Sequence, residues 1–330
     1  MADLTTSYMG LRLRNPVIVA SSGLSKSVKG ISRCAEAGAG AVVMKSIFEE
    51  QYWGEVVPSE KTLSYYPEAL DYLRKGSLLG YAPQEKCDII EKVKKEIDIP
   101  VIASINCQSP ELWPDFALQF QEAGADGLEL NIYFLPFELK TPGIDYEKFH
   151  LEILEKVKKV VSIPVAVKLT SQLTSVPFLA HRLAKSGCDA LVLFNWFLQP
   201  DVNVEKLQTK NIVGKGNFHQ SLRWVALLAG RVDCDIASSG GVQKPEDLIK
   251  QILVGASAVQ VCSLFYQKGL KAVKDLLSNL GAWMDSHRYA SLDDFKGELS
   301  FKKQELTFKE PEKAKAYFRT QYLKTYSDLE

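Results

Sequence analysis

EAGADGLELNI, residues 122–132, joins the end of a helix pattern to an apolar strand, and the same phrase occurs four times along the chain. In each copy the helix pattern stops at a glycine, the residue that most readily takes the positive φ at which many helices end. A continuous apolar run follows, which is typical of a strand buried on both faces of a parallel sheet. The other copies are EAGAGAVVMKS (36–46), KSGCDALVLFN (185–195) and LVGASAVQVCS (253–263).

Four further strand patterns alternate with these copies. They read NPVIVASS (15–22), IPVIASIN (99–106), IPVAVKLT (163–170) and CDIASSGG (234–241). Because helix patterns separate the eight strands, we predict an α/β fold, a (β/α)8 TIM barrel with long βα loops. An open doubly wound sheet is the alternative, and the regular run of eight units favours the barrel.

Two connections are longer than a minimal barrel needs. Residues 47–83 follow the second strand and residues 196–217 follow the sixth, on the side where barrel active sites lie. Loops of this length are usually functional or disordered. The first is rich in tyrosine and tryptophan, which indicates a packed lid.

The C-terminal residues extend past the last barrel helix. We predict a barrel domain over residues 1–298 and a C-terminal helical extension over residues 299–330. Phe318, Tyr322 and Tyr326 are four residues apart and share one helical face. That face packs either on its own barrel or on a second copy in a homodimer, since aromatic residues are enriched in interface cores.

Composition excludes several classes of protein. The chain has 40 basic and 40 acidic residues, whereas a nucleic-acid partner calls for a basic excess. No apolar run approaches the roughly 18 residues that cross a membrane, and the N-terminal residues lack a signal-peptide pattern. The six cysteines form no C-x-x-C pair, so we expect no metal site and a reducing, cytoplasmic location.

The C-terminal ends of the eight strands are where a barrel carries its chemistry. The predicted ends are Ala20–Ser21, Lys45–Ser46, Asn106–Cys107, Asn131, Lys168, Asn195, Gly240–Gly241 and Cys262–Ser263. These ends include neither a carboxylate pair for glycoside hydrolysis nor a set of histidines for a metal.

Strands seven and eight predict a phosphate site. SSGGV (238–242) runs into the helix pattern QKPEDLIKQIL, and its glycines let the backbone approach a ligand closely. The helix dipole then favours an anion, and barrels commonly bind phosphate after strands seven and eight. Cys262 and Ser263 would add donors from strand eight.

Lys45 and Lys168 each end an apolar run, so each ammonium needs a negative partner or water. One interpretation is a structural ion pair with a loop carboxylate. The other is a cation held against a cofactor that becomes anionic. Two such lysines, a phosphate site and no nucleophile favour a flavin, whose reduced form a nearby cation stabilises. The asparagines suit a ligand with amide and carboxylate groups.

As an ordered set, these motifs resemble the dihydroorotate dehydrogenase family, and its soluble class 1 branch most. The resemblance rests on NPVIVASSG, AGAGAVVMKS, AGADGLELN, PVAVKL, SSGGV and VGASAVQVCS, with YASLDDFKGEL at 289–299. It spans residues 4–299 and implies FMN at the strand C-terminal ends and a homodimer. It also implies hydride transfer between FMN and a small substrate that is pyrimidine-like or carries carboxylate or amide groups.

Residue by residue, the resemblance assigns roles to the strand ends. It implies FMN contacts from Ala20, Ser21, Lys45, Ser46, Asn131, Lys168, Gly240, Gly241, Cys262 and Ser263. It implies substrate contacts from Lys45, Asn131 and Asn195. Lys45 and Lys168 would also be catalytic.

The loop after strand four departs from the family pattern. The family has Asn-Leu-Ser-Cys-Pro-Asn there, and its cysteine or serine is the base. Residues 131–136 read NIYFLP, so Phe134 stands at the base position and cannot accept a proton. Tyr133 is a catalytic candidate. An unperturbed phenol titrates near about 10, which suits an acid better than a base.

Two more departures affect the substrate side. Pro136 replaces a substrate asparagine, and Trp196 follows Asn195 where a small residue is usual. We therefore expect an FMN-dependent oxidoreductase acting on a CH–CH group, with a changed substrate or base. One alternative is a genuine dihydroorotate dehydrogenase of pyrimidine biosynthesis with another base, for which Cys107 is a weaker candidate than Tyr133. Another is a flavin-binding protein without turnover. A phosphate-sugar isomerase would need carboxylates or a histidine at the strand ends.

Overall fold

The computed structural model describes residues 2–48, 83–107, 110–133, 136, 138–196, 199–212 and 216–307, with a few single residues beyond. The aromatic-rich part of the predicted lid, Phe134 of the base position, and the aromatic face of residues 318–326 lie outside the described residues.

An antiparallel hairpin opens the chain and closes one mouth of the barrel. Its strands are β1 (Thr6–Tyr8) and β2 (Leu11–Leu13). Tyr8, Met9 and Leu13 are buried against inward-facing barrel residues. A methyl group on Gly127, which begins a barrel strand, would lie 2.8 Å from the end of Met9. The hairpin therefore fills the N-terminal mouth of the barrel.

The remaining strands are β3 (Val17–Val19), β4 (Ala41–Val43), β5 (Ile47–Phe48), β6 (Val101–Asn106), β7 (Gly127–Asn131), β8 (Val165–Leu169), β9 (Ala190–Leu193), β10 (Gln199–Asn203), β11 (Gln208–Ile212), β12 (Asp235–Ser239) and β13 (Ala258–Val261). Parallel pairing runs in the order β3, β4, β6, β7, β8, β9, β12, β13 and back to β3. Because β4 pairs with β6 and β13 pairs with β3, the sheet is closed, and the predicted (β/α)8 TIM barrel is confirmed.

Helices separate the barrel strands. They are α1 (Val28–Glu36), α2 (Gln84–Glu96), α3 (Leu112–Glu122), α4 (Gly143–Lys158), α5 (Val176–Lys185), α6 (Phe218–Leu228), α7 (Pro245–Leu253), α8 (Ser263–Lys268), α9 (Ala272–His287) and α10 (Phe301–Thr307). The helices from α1 to α7 each bury apolar side chains. In α3, for example, Trp113, Phe116 and Phe120 recur at helical spacing and are buried.

The loop after β9 contains structure that the sequence analysis did not predict. β10 and β11 form an antiparallel hairpin, with Gln199 opposite Ile212 and Asn203 opposite Gln208. Val202 and Leu207 are exposed on it. None of the hairpin residues whose burial is described is buried, and its sequence lacks the apolar–polar alternation that marks a half-buried strand.

α10 lies where the predicted C-terminal extension begins. It contacts α6, and the Arg231 guanidinium lies 4.8 Å from the centroid of the Phe301 ring. The predicted boundary between residues 298 and 299 stays a prediction. Within the described part of the chain, no helix is long and apolar enough to cross a membrane.

Candidate active site

A polar layer lies above an alanine-rich layer inside the barrel. Alternate residues of a strand point to the same face, so Lys168 shares the inward face with buried Ala166, and Gln260 shares it with Ala258. The alanines leave room for the plugging hairpin. The longer polar residues follow towards the C-terminal mouth, where the sequence predicted the site.

Glu129, Lys168 and Gln260 form a closed triangle, which we call the polar triangle. Lys168 Nζ lies 3.3 Å from Glu129 Oε1 and donates to Gln260 Oε1 at 3.0 Å. Gln260 Nε2 donates to Glu129 Oε2. The three residues are at most 6% exposed. An ammonium has three donors, and the triangle uses two of them.

The polar triangle answers one open question about Lys168. Its partner is a carboxylate, but on the neighbouring strand β7 rather than on a loop. Glu129 was not among the predicted site residues, because it lies inside an apolar run and precedes the strand end by two residues. The available signal was a charge in the middle of LEL, which burial permits only with a partner.

Lys45 has a different electrostatic setting. It is half-buried, and its Nζ lies 5.5 Å from the centroid of the Phe48 ring. Among the described residues, no carboxylate pairs with Lys45. Lys168 is therefore a compensated cation, whereas Lys45 is a cation for which the described residues provide no acidic partner.

Hydroxyl groups link the ends of β3, β4 and β6. Ser21 Oγ and Ser46 Oγ are 3.0 Å apart, and Ser46 N donates to Ser21 Oγ at 2.8 Å. Ser46 Oγ also lies 2.8 Å from Ser104 Oγ. Ala20, next to Ser21, is buried and donates its N–H to Val261 O at 3.0 Å. The predicted residues of strands one and two thus lie together.

The glycine turn after β12 has the geometry of a backbone cradle. Gly240 and Gly241 have φ of +96° and +82°, which favour glycine. A Cβ on Gly241 would lie 2.5 Å from Phe218 N, whereas a Cβ on Gly240 would meet nothing within 4 Å. Gln243 Nε2 donates to Ser263 Oγ at 2.8 Å, which joins this turn to the end of β13.

Cys262 connects the end of β13 to the polar triangle. Burial raises the pKa of its thiol, and the Ser22 hydroxyl and the Lys168 charge lower it in part. The raised pKa keeps Cys262 a neutral thiol at pH 7, so it is a weak donor rather than a nucleophile.

Three buried polar atoms at the ends of β7, β8 and β9 have no hydrogen-bond partner among the described residues: Asn131 Oδ1, Thr170 Oγ1 and Trp196 Nε1. Leaving such a group unsatisfied costs about 1–3 kcal/mol, so each calls for an explanation. Thr170 was not among the predicted site residues. It directly follows β8 and is fully buried.

The predicted asparagines occupy neighbouring strand ends. Asn106 Nδ2 donates to Asn131 O at 2.9 Å. Asn195 N donates to Leu169 O at 2.8 Å, and Asn195 Oδ1 accepts from Trp196 N at 2.9 Å. Asn195 is thus fixed by backbone contacts just beyond β9.

Tyr133 is the described residue nearest to the missing base position. It is 38% exposed, and burial raises the pKa of its phenol above the usual value. It therefore carries its proton at neutral pH, which opposes a role as base and suits a proton donor. Pro136 is exposed. Across the described ranges, no three His, Cys, Asp or Glu side chains are grouped to hold a metal ion.

Comparison with known proteins identifies the family. A family model described as dihydroorotate dehydrogenase matches residues 3–284. The catalytic subunit of dihydroorotate dehydrogenase B (NAD+) from Thermoplasma acidophilum is 28% identical over 308 residues, covering 90% of this chain and 99% of the relative. The same subunit is 29% identical in Methanocaldococcus jannaschii, covering 84% of this chain and 92% of the relative. In Methanosarcina mazei it is 30% identical, covering 80% and 85%. The chain belongs to the dihydroorotate dehydrogenase family and is an FMN-dependent oxidoreductase that acts on a CH–CH group.

Proposed function

We propose that the chain holds FMN across the C-terminal mouth of the barrel and transfers a hydride between it and a small, pyrimidine-like substrate with carboxylate or amide groups. The observation that supports this most is that three buried atoms at the ends of β7, β8 and β9 lack a hydrogen-bond partner among the described residues: Asn131 Oδ1, Thr170 Oγ1 and Trp196 Nε1. A flat heterocycle rich in donors and acceptors would satisfy them.

The residues at the strand ends fit FMN. The open space at Gly240, where the backbone can approach a ligand closely, suits a phosphate. The residues that would hold the cofactor are Ala20, Ser21, Lys45, Ser46, Asn131, Lys168, Gly240, Gly241, Cys262 and Ser263. Lys45, Asn131 and Asn195 would contact the substrate.

FMN supplies the hydride chemistry, and the residues of this chain supply position and charge. Lys45 brings a positive charge without an acidic partner among the described residues. Lys168 offers its third N–H while Glu129 and Gln260 hold the other two. Fixed donors and charges of this kind stabilise a developing negative charge without reorganisation.

The proton is handled differently from the family pattern. Phe134 has no group that could accept a proton, and Tyr133 keeps its own at neutral pH. A protonated phenol can donate to one carbon of a C=C bond while the other carbon receives the hydride. We therefore assign Tyr133 as the acid of a reductive reaction.

The test is anaerobic and runs in both directions. FMN-bound protein is mixed with dihydroorotate, and chemically reduced protein is mixed with orotate, while the flavin absorbance is followed. We expect the reductive direction to be the faster one, and Tyr133→Phe to slow it by ~10²–10⁴, the usual contribution of a proton donor. Fast bleaching by dihydroorotate, unaffected by Tyr133→Phe, would contradict this assignment.

A second candidate function is dihydroorotate oxidation in pyrimidine biosynthesis. It is favoured by the 28–30% identity to catalytic subunits of dihydroorotate dehydrogenase B. Rapid bleaching in the same experiment would establish it. A flavin that reacts with neither compound would instead point to another substrate or to a binding protein without turnover.

We infer the oligomeric state and the cellular location from the resemblance to the soluble branch of the family. We propose a cytoplasmic homodimer without nucleic acid or membrane partners. The zero formal net charge supports the absence of a nucleic-acid partner. Light scattering of the purified full chain at micromolar concentration checks the oligomeric state, and a monomer mass would contradict the dimer.

A further inference from the structure

The polar triangle carries no net charge. Glu129 contributes one negative charge, Lys168 one positive charge, and Gln260 only dipoles. The side chains of Lys168 and Glu129 are 7% and 1% exposed, so water and salt screen the pair weakly. Lys168 lies level with Asn131 in the register of β7 and β8. Glu129 lies two residues closer to the N-terminal mouth, so it compensates the cation from the barrel interior.

Gln260 fixes the arrangement. Its Oε1 accepts from Lys168 while its Nε2 donates to Glu129. The amide therefore has one orientation that satisfies both neighbours. Lys168 is held by two acceptors on two different strands, β7 and β13, and the ammonium has little freedom to leave its counter-charge.

Lys45 provides the contrast. It is half-buried beside Phe48 and has no carboxylate partner within the described residues. Among the described residues at the strand ends, Lys45 therefore adds an uncompensated positive charge, whereas the charge of Lys168 is balanced by Glu129. This division of roles could not be inferred from two lysines that look equivalent in the sequence.

We propose that Glu129 is a positioning residue that acts through Lys168 and keeps the reduction potential of the bound FMN low. A nearby cation stabilises the reduced, anionic form of a flavin, and a cation paired with a carboxylate does so much less. Glu129 thus limits how strongly the site stabilises reduced FMN relative to oxidised FMN. A lower potential favours transfer of the hydride from reduced FMN to a substrate. The inference rests on the proposed FMN site.

The test measures the midpoint potential of FMN bound to the full chain, by anaerobic equilibration with a reference dye. Glu129→Gln keeps the size of the side chain and removes its charge. We expect its potential to rise by about 30 mV or more, which is a tenfold shift of a two-electron equilibrium. Glu129→Asp keeps the charge, and Glu147→Gln alters another buried carboxylate on α4, outside the barrel. Both should stay near the starting value.

A double variant keeps the inference testable if Glu129→Gln does not fold. Glu129→Gln with Lys168→Gln removes both charges, a replacement that buried ion pairs often tolerate. Because the two charges cancel, only the loss of the third Lys168 N–H should change its potential, by less than about 30 mV or one tenfold step. A fall of about 30 mV or more would show that Lys168 acts as an uncompensated cation and would overturn the inference.

The outcomes separate this inference from the proposed function. A starting protein that does not bind FMN would overturn both. A protein that binds FMN, and whose potential is unchanged or lowered in Glu129→Gln, would overturn the role of Glu129 alone. A raised potential in Glu129→Gln, with Glu129→Asp and Glu147→Gln unchanged, is the supporting result.

Discussion

Replacing Lys168 with methionine would leave the Glu129 carboxylate buried without its counter-charge. Glu129 is 1% exposed, and one of its oxygens faces Lys168 Nζ at 3.3 Å. Removing one partner of a buried ion pair typically costs about 3–5 kcal/mol. The variant also removes the donor to Gln260 Oε1. We therefore expect Lys168→Met to lower the free energy of unfolding by about 3–5 kcal/mol at pH 7.

Lys185→Met is the matched control, because it also removes one lysine from an ion pair. Lys185 Nζ and Asp233 Oδ2 are closer, at 2.6 Å, but their side chains are 62% and 73% exposed. Exposed pairs contribute little because water screens them and both side chains lose freedom. The control variant should therefore unfold close to the starting protein, even though its pair is the shorter one.

The assay is equilibrium urea unfolding followed by far-UV circular dichroism, with the same FMN concentration for every variant. FMN must be held constant because a ligand that binds the folded state raises apparent stability. A third variant, Lys168→Met with Glu129→Leu, should recover most of the loss, since an apolar pair leaves no buried charge. Equal unfolding midpoints for Lys168→Met and Lys185→Met would show that the buried ion pair adds no more to stability than the exposed one.

Three further predictions concern other residues. The rate at which reduced FMN reduces orotate should stay constant up to alkaline pH and fall only as pH rises through the raised pKa of Tyr133, because the protonated phenol is the active form. A rate that falls between pH 6 and 8 would contradict this. Gly241→Ala should weaken FMN binding, measured by fluorescence titration, and lower thermal stability more than Gly240→Ala does. Both positions have positive φ, but only a Cβ at Gly241 would lie 2.5 Å from Phe218 N. Equal effects of the two substitutions would show that this close approach is unimportant. Burial lowers the pKa of His150 to about 4, so His150 takes up a proton on unfolding below pH ~6.5, and the free energy of unfolding should fall by no more than about 3 kcal/mol between pH 6.5 and 4. In His150→Gln, urea midpoints should fall less over this pH range, and an equal fall would contradict the prediction.

Most of the fold could be predicted from the chain alone. The eight apolar runs predicted eight barrel strands, and each strand lies inside its predicted stretch. Buried parallel strands can be recognised in a sequence because both of their faces are apolar, which gives a continuous apolar run. The hairpin of β10 and β11 was not predicted, because none of its residues with described burial is buried and its sequence has no continuous apolar run.

The candidate site was predicted in part. The strand-end rule identified Lys45, Lys168 and Asn131, which lie at the C-terminal mouth as expected. It did not identify Glu129, because the sequence around Glu129 does not show that its carboxylate contacts Lys168 and Gln260 on two other strands. Nor did it identify Thr170, because only the tertiary structure shows that its hydroxyl is buried and has no hydrogen-bond partner among the described residues.

The sequence by itself determined the barrel and placed Phe134, which cannot accept a proton, after its fourth strand, and it predicted the C-terminal mouth as the functional end. Those properties depend on residue type and on spacing along the chain. Only the tertiary structure decided which cation is compensated. Glu129, Lys168 and Gln260 are far apart in sequence and come from three strands, β7, β8 and β13. The charge balance of the site depends on distances between those strands, and closure of the barrel sets those distances.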